Sequence, residues 1–317
     1  MLVLTEAEVR ELLDLDALVD AVAHAHAALS NGSVSMPARI AAFVEEQEGL
    51  LGVMPAYVPQ TALACKLVTL FPRNVDRHTH QAAILVFDHE HGTPVALMDG
   101  TYITATRTAA GSALATRLLA REDASVLAVL GTGVQARAHV EAIKRVRPID
   151  EVRVAARDHA KAEAFAHEFG AQAVASWEEA IRGADVVAAT THTHEPIVRR
   201  EWVNPGTHIN SVGANPAGRG EVDRELVRAA TVAIESRASS LAPPPAGAPE
   251  LAGIDPDGVA ELGELVTDAK PGRRSRDEIT LYKSVGVAVQ DAAAAALVLA
   301  AARERSVGRE IELEESR

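Results

Sequence analysis

The sequence contains few of the residues that mark disulfide-bonded, metal-binding or nucleic-acid-binding proteins. Cys65 is the single cysteine among 317 residues, so an intrachain disulfide is excluded and no cysteine-based metal site is expected. Lysine and arginine total 31 against 44 aspartates and glutamates, which gives a formal net charge of −13 without a basic run. Because non-specific nucleic-acid binding depends on many cations that neutralise phosphates, we expect no nucleic-acid partner.

Segments long and apolar enough to cross a membrane are also lacking. The first residues, MLVLTEAEVRELLDLD, are acidic where a secretory signal would be basic. The longest apolar stretch, SVGVAVQDAAAAALVLAA, is interrupted by Gln290 and Asp291, and its uninterrupted part is shorter than the roughly 20 residues of a membrane span. We therefore expect a cytoplasmic protein with no membrane partner.

Aromatic residues make up only 3% of the chain, so its core must be built from alanine, valine, leucine and isoleucine. The apolar fraction of 48% and the charged fraction of 24% are ordinary for globular proteins. A chain of this length exceeds what one hydrophobic core usually organises, which predicts one large domain or two smaller ones.

The first part of the sequence changes from a helical to a β-like pattern and back. Thr5 and Glu8 have capping-box spacing ahead of an apolar-periodic segment, and a second helix follows. Over residues 35–99, five short β-like runs separated by proline and glycine predict an antiparallel or mixed sheet. The segment ITATRTAAGSALATRLLAR returns to a helical pattern, with Thr104 or Thr106 as the expected N-cap.

After residue 123 the predicted strands and helices alternate. Buried-type strands are predicted at 125–131, 151–157 and 184–191, with helical segments between them. This alternation predicts parallel βαβ units with right-handed crossovers. A long alanine-rich helix lies near the C-terminus, and we expect it to pack against the N-terminal part.

A glycine-rich turn joins the first of these strands to a helix. Its residues are Gly131, Thr132, Gly133, Val134, Gln135 and Ala136. In the motif G-x-G-x-x-G/A, the first glycine makes a tight turn, the second lets the backbone approach a pyrophosphate, and the third small residue lets helix and strand pack closely. Because the helix N-terminus also favours an anion, the turn predicts a dinucleotide site in this strand–helix context.

The end of the second strand bears on which dinucleotide is bound. An NAD-preferring site usually ends this strand with an acid that binds the ribose hydroxyl, and that acid is missing at Ala156. Arg157 suits a 2′-phosphate, which favours NADP(H), with NAD(H) possible. Asp158 would repel that phosphate if it pointed inward; alternatively, it caps the next helix and faces solvent.

Seven stretches of the sequence, taken in order, form a specific set. They are MPARI, MPAYVP, CKLVTLFPRN, ILVFDHEHGTPVALMDGTYITATRTAAGSALATRLLAR, LAVLGTGVQARAH, GTHINSVGAN and ITLYKSVGVAVQD. On these stretches the chain resembles the ornithine cyclodeaminase/mu-crystallin family over nearly its whole length. The resemblance implies an α/β subunit of a homodimer. A Rossmann-type dinucleotide-binding domain is expected at 122–283, and an α+β domain for substrate binding and dimerisation at 1–121 and 284–317.

Three cations match the positions that hold the substrate carboxylate in this family: Arg39 in MPARI, Lys66 in CKLV and Arg107 in TATRTAA. Guanidinium groups suit carboxylates in two-pronged geometry. A lysine crowded by two arginines is expected to have a lowered pKa, so that it can donate or accept a proton near neutrality. The remaining predicted cofactor-binding residues are Thr190, Val212 and Ser284.

One predicted catalytic position departs from the family pattern. Cyclodeaminases carry a catalytic aspartate where this sequence has Asn215. An amide can form hydrogen bonds but cannot take up a proton at neutral pH. Glu221 or Asp223 would replace the missing acid only if the loop folded differently. Ornithine cyclisation is therefore disfavoured, whereas the hydride chemistry is unaffected.

These features predict an NAD(P)H-dependent oxidoreductase of small α-amino or imino acids, of the ketimine reductase or amino-acid dehydrogenase type. Hydride would move between the nicotinamide and the substrate Cα. One alternative is an ornithine- or lysine-type cyclodeaminase that recycles NAD, and another is a mu-crystallin-like protein that binds a ligand together with NADPH. The low aromatic content counts against the second, because large flat ligands usually contact aromatic walls. No metal is predicted, since His192 and His194 lack further ligands.

Overall fold

The computed structural model describes residues 1–213, 220–243 and 247–313. The chain forms two compact units, one made of Met1–Arg107 with Val287–Arg317 and the other of Thr108–Gly286. The boundary expected from the sequence lay after residue 121, at the end of a helix, whereas the structural division falls inside that helix.

Strands and helices are numbered in chain order over the described residues. The strands are β1 (Leu2–Leu4), β2 (Ile40–Val44), β3 (Gly49–Val58), β4 (Ala62–Leu70), β5 (His80–Phe87), β6 (Pro94–Asp99), β7 (Val126–Leu130), β8 (Glu151–Ala155), β9 (Gln172–Ala173), β10 (Val186–Ala189), β11 (His208–Ser211), β12 (Thr231–Ile234), β13 (Ala260–Glu261), β14 (Thr280–Lys283) and β15 (Arg309–Glu310). The α-helices are α1 (Glu6–Leu12), α2 (Leu15–Ser30), α3 (Thr101–Leu119), α4 (Val134–Val146), α5 (His159–Phe169), α6 (Trp177–Ile181), α7 (Arg224–Ala229), α8 (Arg237–Ser240), α9 (Leu262–Val266) and α10 (Ala288–Arg305). None of these helices is both long and apolar enough to cross a membrane.

The unit formed by the two ends of the chain, called the mixed-sheet unit, contains one sheet. Within the described residues its seven strands are ordered β15-β1-β6-β5-β4-β3-β2. Strands β2 to β6 pair antiparallel, and β1 runs parallel to β6, so the predicted antiparallel or mixed sheet is confirmed. Helix α10 packs against α2, β3 and β4, as expected for the alanine-rich helix.

Strand β4 shows how this sheet directs its side chains. Successive side chains of a strand point to opposite faces. Ala62, Ala64 and Lys66 are buried, whereas Cys65 is half-buried and Leu67 is exposed. Lys66 therefore projects from the face that α10 covers.

The helix starts in this unit depend on side-chain caps. Thr5 caps α1 through a complete capping box with Glu8, as predicted. The prediction for α3 is wrong, because neither Thr104 nor Thr106 is its N-cap. The Asp99 carboxylate accepts a hydrogen bond from the Tyr102 amide at 2.8 Å, so an acceptor at the end of β6 supports an earlier helix start.

The second unit, called the parallel-sheet unit, contains the predicted βαβ pattern. Within the described residues its eight strands are ordered β13-β12-β14-β11-β10-β7-β8-β9, and the paired strands are parallel. Read from β9 to β11, the order matches the 3-2-1-4-5 part of the Rossmann fold, and β14, which follows β12 and β13 in the chain, occupies the sixth place. The predicted strands at 125–131, 151–157 and 184–191 are present as the slightly shorter β7, β8 and β10.

Candidate active site

Lys66 forms a buried ion pair with Asp291. Its ammonium nitrogen Nζ lies 2.9 Å from Oδ1 and 2.8 Å from Oδ2 of the Asp291 carboxylate. The two side chains are only 1% and 2% exposed. β4 supplies the lysine and the first turn of α10 supplies the aspartate, so the packing of this helix on the sheet brings the opposite charges together.

Arg107, on α3, joins the same carboxylate. Its Nε–H donates to Asp291 Oδ1 at 3.0 Å, and its Nη1 donates to the side-chain oxygen of Gln290 at 2.9 Å. The Gln290 amide nitrogen lies 2.9 Å from Nε2 of the buried His26 on α2. Two of the three predicted carboxylate-binding cations, Lys66 and Arg107, therefore share one internal carboxylate.

The third predicted cation, Arg39, lies on the exposed segment before β2. The positive charge of Arg39 is close enough to Lys66 to contribute to lowering the pKa of that lysine. Burial, followed by the charge of Arg107, lowers the pKa of Lys66 from 10.5 to about 8. The charge and hydrogen bond of Asp291 act in the opposite direction, so Lys66 can exchange a proton close to neutral pH.

Sequence reasoning did not identify Asp291 or Gln290 as site residues. In the sequence, the two residues are visible only as polar interruptions of the apolar run in α10. A buried charge needs a partner, so an acid within an apolar helix was a signal that a cation lay opposite. Which cation it paired with could not be read from the sequence.

The predicted dinucleotide turn lies directly after β7 in the parallel-sheet unit. Gly131 has φ +111°, and a Cβ at this position would lie 3.1 Å from the Thr190 hydroxyl oxygen. Gly133 is the N-cap of α4 without a side-chain hydrogen bond, and a Cβ there would meet nothing within 4 Å. Val134 is exposed, and Gln135 has a buried Oε1 with no hydrogen-bond partner within the described residues. Open space beside a helix N-terminus fits a dinucleotide phosphate.

The other predicted cofactor-binding residues lie at the same edge of this sheet. Thr190, Val212 and Ser284 immediately follow β10, β11 and β14, the strands ordered beyond β7. Parallel strands place their carboxyl ends at one edge, which is where open α/β sheets bind ligands. The Ser284 hydroxyl donates to the buried Glu235 carboxylate at 2.8 Å, and that carboxylate also accepts from backbone amides of the next two residues.

Arg157 and Asp158 follow β8 and are both exposed. The Asp158 carboxylate accepts hydrogen bonds from the amides of Ala160 and Lys161 at 3.1 and 3.4 Å and caps α5. Of the two predicted orientations of Asp158, the structure has the one in which its side chain caps α5. Arg157 is the second residue after the end of β8.

Asn215 lies outside the described residues, but the two neighbouring acids are described. Glu221 is buried and accepts four hydrogen bonds, from the amide and hydroxyl of Thr191, the hydroxyl of Ser211 and the amide of Gly213. Asp223 caps α7 and also accepts from the amide of Arg200 at 3.0 Å. Both carboxylates are therefore used to hold the backbone.

A second buried lysine lies at this edge of the parallel sheet. Lys283, the last residue of β14, has Nζ 2.8 Å from Glu250 Oε1 and 2.8 Å from the Gly213 carbonyl oxygen. It also donates to the Ser211 hydroxyl at 3.2 Å. In the described ranges, no group of three histidine, cysteine, aspartate or glutamate side chains is placed to hold a metal ion.

The chain is similar to known proteins in both its sequence and its fold. The model of the ornithine cyclodeaminase/mu-crystallin family matches residues 1–306. The ketimine reductase mu-crystallin of Mus musculus is 42% identical over 273 residues, covering 84% of this chain and 85% of that protein.

Two solved structures are similar over almost the entire chain. Thermococcus litoralis Δ1-pyrroline-2-carboxylate reductase, in complex with NADH and L-proline, has a TM-score of 0.92 at 36% identity, covering 98% of this chain and 100% of that one. An archaeal alanine dehydrogenase dimer with bound NAD has a TM-score of 0.88 at 31% identity, covering 99% of each chain. Sequence and structure therefore agree that the chain belongs to the ornithine cyclodeaminase/mu-crystallin family.

Proposed function

We propose that this protein is an NAD(P)H-dependent oxidoreductase that interconverts a small α-imino acid and the corresponding α-amino acid. The observation that carries the proposal is the buried pairing of Lys66 and Arg107 on one carboxylate, in a chain that also has a dinucleotide turn. Two cations gathered around an internal carboxylate are suited to bind the carboxylate of a substrate. The three relatives, a ketimine reductase, a pyrroline-2-carboxylate reductase and an alanine dehydrogenase, support it.

The residues of the chain would bind the substrate and move a proton. Arg107 and Arg39 hold the substrate carboxylate, which fixes the orientation of the neighbouring C=N bond. When bound at the glycine-rich turn, a reduced dinucleotide would be the source of the hydride for Cα. Lys66 Nζ gives a proton to the substrate nitrogen, which becomes an amine, and regains a proton from water. A lysine with a pKa of about 8 is mostly protonated at neutral pH, as this step requires.

The carboxylates of the parallel-sheet unit support reduction rather than cyclodeamination. A cyclodeaminase with Asn215 in place of its aspartate needs another base nearby. Glu221 accepts four hydrogen bonds and Asp223 caps a helix, so each is committed to other groups. Reduction of a cyclic imine needs no additional carboxylate base, since the imine is already formed.

The test is turnover of small cyclic imines, followed by the loss of absorbance of the reduced dinucleotide. Δ1-pyrroline-2-carboxylate and Δ1-piperideine-2-carboxylate are expected to be reduced, and pyruvate with ammonium tests the alanine dehydrogenase type. L-ornithine with NAD in catalytic amount tests the cyclodeaminase. Dinucleotide binding without turnover of any of these imines would contradict the proposal, and proline with ammonia from ornithine would favour the alternative.

We propose further that NADP(H) is preferred and NAD(H) is accepted. Arg157 is exposed directly after β8, and Asp158 is held as a helix cap, which supports a site for a 2′-phosphate. The two solved relatives hold NADH and NAD, so both dinucleotides must be compared. We expect Arg157→Ala to lower kcat/KM with NADPH about tenfold while leaving kcat/KM with NADH almost unchanged. Equal losses with both dinucleotides would contradict the preference.

A homodimer is proposed from the uncovered face of the mixed sheet. Ile40 of β2 pairs with Val53, which pairs with Leu67 of β4, and Ile40 and Leu67 are exposed. Such apolar rows on a surface often mark an interface, and one solved relative is a dimer. Leu67→Glu is expected to give a monomer by light scattering. Val75→Glu, at an exposed loop position, is the matched control.

A cytoplasmic location stays a prediction. It rests on the single cysteine, Cys65, because proteins of oxidising compartments commonly contain disulfides. Cell fractionation with a compartment marker tests it, and recovery outside the cytoplasmic fraction would contradict it.

A further inference from the structure

Asp291 is the carboxylate on which the cationic site of the mixed-sheet unit is built. It is 1% exposed and contacts both Lys66 Nζ and Arg107 Nε. Burying a lysine beside an arginine without an anion would leave two like charges out of water, which is strongly unfavourable. The burial of these two cations therefore depends on the negative charge of Asp291.

The charges that face Lys66 come from several elements. Arg107 approaches from α3, Asp291 from α10 and Arg39 from the segment before β2, while the uncharged Gln290 links the cluster to His26 of α2. With Lys66 protonated, three cations and one anion give this cluster a formal charge of +2. A substrate carboxylate lowers that charge to +1, whereas without Asp291 the same complex would have a charge of +2.

A substrate carboxylate can join this cluster without displacing Asp291. A guanidinium carries five N–H donors, and an ammonium carries three. The contacts of Arg107 with Asp291 and Gln290 use two of those donors. The arrangement is therefore compatible with two carboxylates, one from the protein and one from the substrate, around the same cations.

We propose that Asp291 is a positioning residue, whose carboxylate holds Lys66 and Arg107 side by side and offsets part of their charge so that Lys66 stays protonated while the substrate carboxylate binds. This role rests on the proposed function and extends it. Asp291 opposes substrate affinity, because its negative charge repels the substrate carboxylate. In return, it favours the protonated lysine that reduction requires.

The first test is the isosteric variant Asp291→Asn, assayed for imine reduction across a pH series. We expect kcat to fall about tenfold or more at neutral pH, because the lysine is less protonated and is no longer held in position, and KM for the imino acid to fall severalfold. The pH at which kcat declines is expected to move down by about one unit, since the nearby negative charge is lost. Glu304→Gln removes an exposed acid from the same helix and is expected to change none of these values.

A merely structural aspartate would give a different pattern. Its loss would raise KM or reduce the amount of folded enzyme without moving the midpoint of the pH profile, and that result overturns the proposal. Asp291→Glu, which keeps the charge, provides a second variant if the asparagine variant does not fold. Its midpoint is expected to stay at the wild-type pH, and a midpoint displaced downward would count against the proposal.

A binding measurement separates this inference from the proposed function. Cyclopentanecarboxylate has a carboxylate on a small ring but no reacting nitrogen. Calorimetry with the full chain loaded with NADP⁺ is expected to show severalfold tighter binding to Asp291→Asn than to the wild type, even if no imine is turned over. Equal or weaker binding to the variant would overturn the role of Asp291, whatever the activity of the wild-type protein.

Discussion

Lys66 and Lys283 are both buried, one in each unit, and each contacts a carboxylate, but the charge balance around them differs. Lys66 shares Asp291 with Arg107 and also lies within the influence of Arg39, so cations are in excess around it. Lys283 contacts Glu250 and a backbone carbonyl oxygen, with no arginine among its contacts in the described residues.

Within the described residues, the Lys283 ammonium has as many contacts as it has N–H donors: Glu250 Oε1, the Gly213 carbonyl oxygen and the Ser211 hydroxyl. The Ser211 hydroxyl that it contacts donates to Glu221, and this glutamate also binds the amide of Gly213, whose carbonyl accepts from Lys283. An added anion would gain little there. Burial is common to both lysines, so we expect the charge balance around each to distinguish a functional lysine from a structural one.

Removal of the Lys66 ammonium is expected to give the largest effect on activity. Lys66→Met deletes the proposed proton donor and one cation of the proposed carboxylate site, so we expect kcat/KM for imine reduction to fall by about 10²–10⁴-fold. The stability of the fold should change less, because Asp291 keeps its contact with Arg107. Steady-state kinetics, with dinucleotide binding measured in parallel, checks the prediction.

Lys144→Met is the matched control, since Lys144 is an exposed lysine on α4. Its kinetics should equal those of the wild type. If Lys66→Met retained most of its activity, or if it lost activity only through lost dinucleotide binding, the contrast between the two buried lysines would be wrong.

Removal of the Lys283 ammonium is expected to act on stability instead. Lys283→Met leaves Glu250 buried without its cation, which should lower the free energy of unfolding by about 3–5 kcal/mol. Both tryptophans, Trp177 and Trp202, lie in the parallel-sheet unit, so their fluorescence during urea denaturation reports on this region.

The folded fraction of this variant should keep a pH profile close to that of the wild type. A Lys283→Met protein of normal stability that had lost turnover would reverse the assignment of the two lysines. Lys144→Met again serves as the control, and it should unfold at the wild-type urea concentration.

Features with local causes could be predicted from the sequence. The Thr5 capping box, the strand–turn–helix around Gly131 and the alternation that gives the parallel sheet each depend on residues close in sequence. The N-cap of α3 was missed because Asp99, at the end of a strand, provides the acceptor. From the sequence alone, a polar residue between a strand and a helix can be assigned either to the strand or to the helix cap, until the end of the strand is known.

The partners of the buried charges could not be predicted in the same way. Asp291 is 225 residues from Lys66 and 184 from Arg107 in sequence, and only the packing of α10 on the sheet brings them together. The four hydrogen bonds of Glu221 likewise come from three residues in two separate segments, one after β10 and one at the end of β11. The sequence predicted that Lys66 and Arg107 belong to one site, but only the tertiary structure identifies Asp291 as the carboxylate between them.

Low pH is expected to destabilise the parallel-sheet unit through its buried histidines, and per pH unit this effect is smaller than that of Lys283→Met. Burial lowers the pKa of His139 to about 4 and that of His208 to about 3, and both lie in the parallel-sheet unit. Below about pH 6.5 the unfolded chain binds protons that these buried rings do not, so the free energy of unfolding falls as the pH falls. The loss is about 1.4 kcal/mol per pH unit for each histidine until its folded-state pKa is reached.

His139→Gln should remove about half of this slope in urea denaturation followed by tryptophan fluorescence, whereas the exposed His167→Gln should leave it unchanged. An unaltered slope in His139→Gln would show that other groups cause the acid sensitivity of this unit.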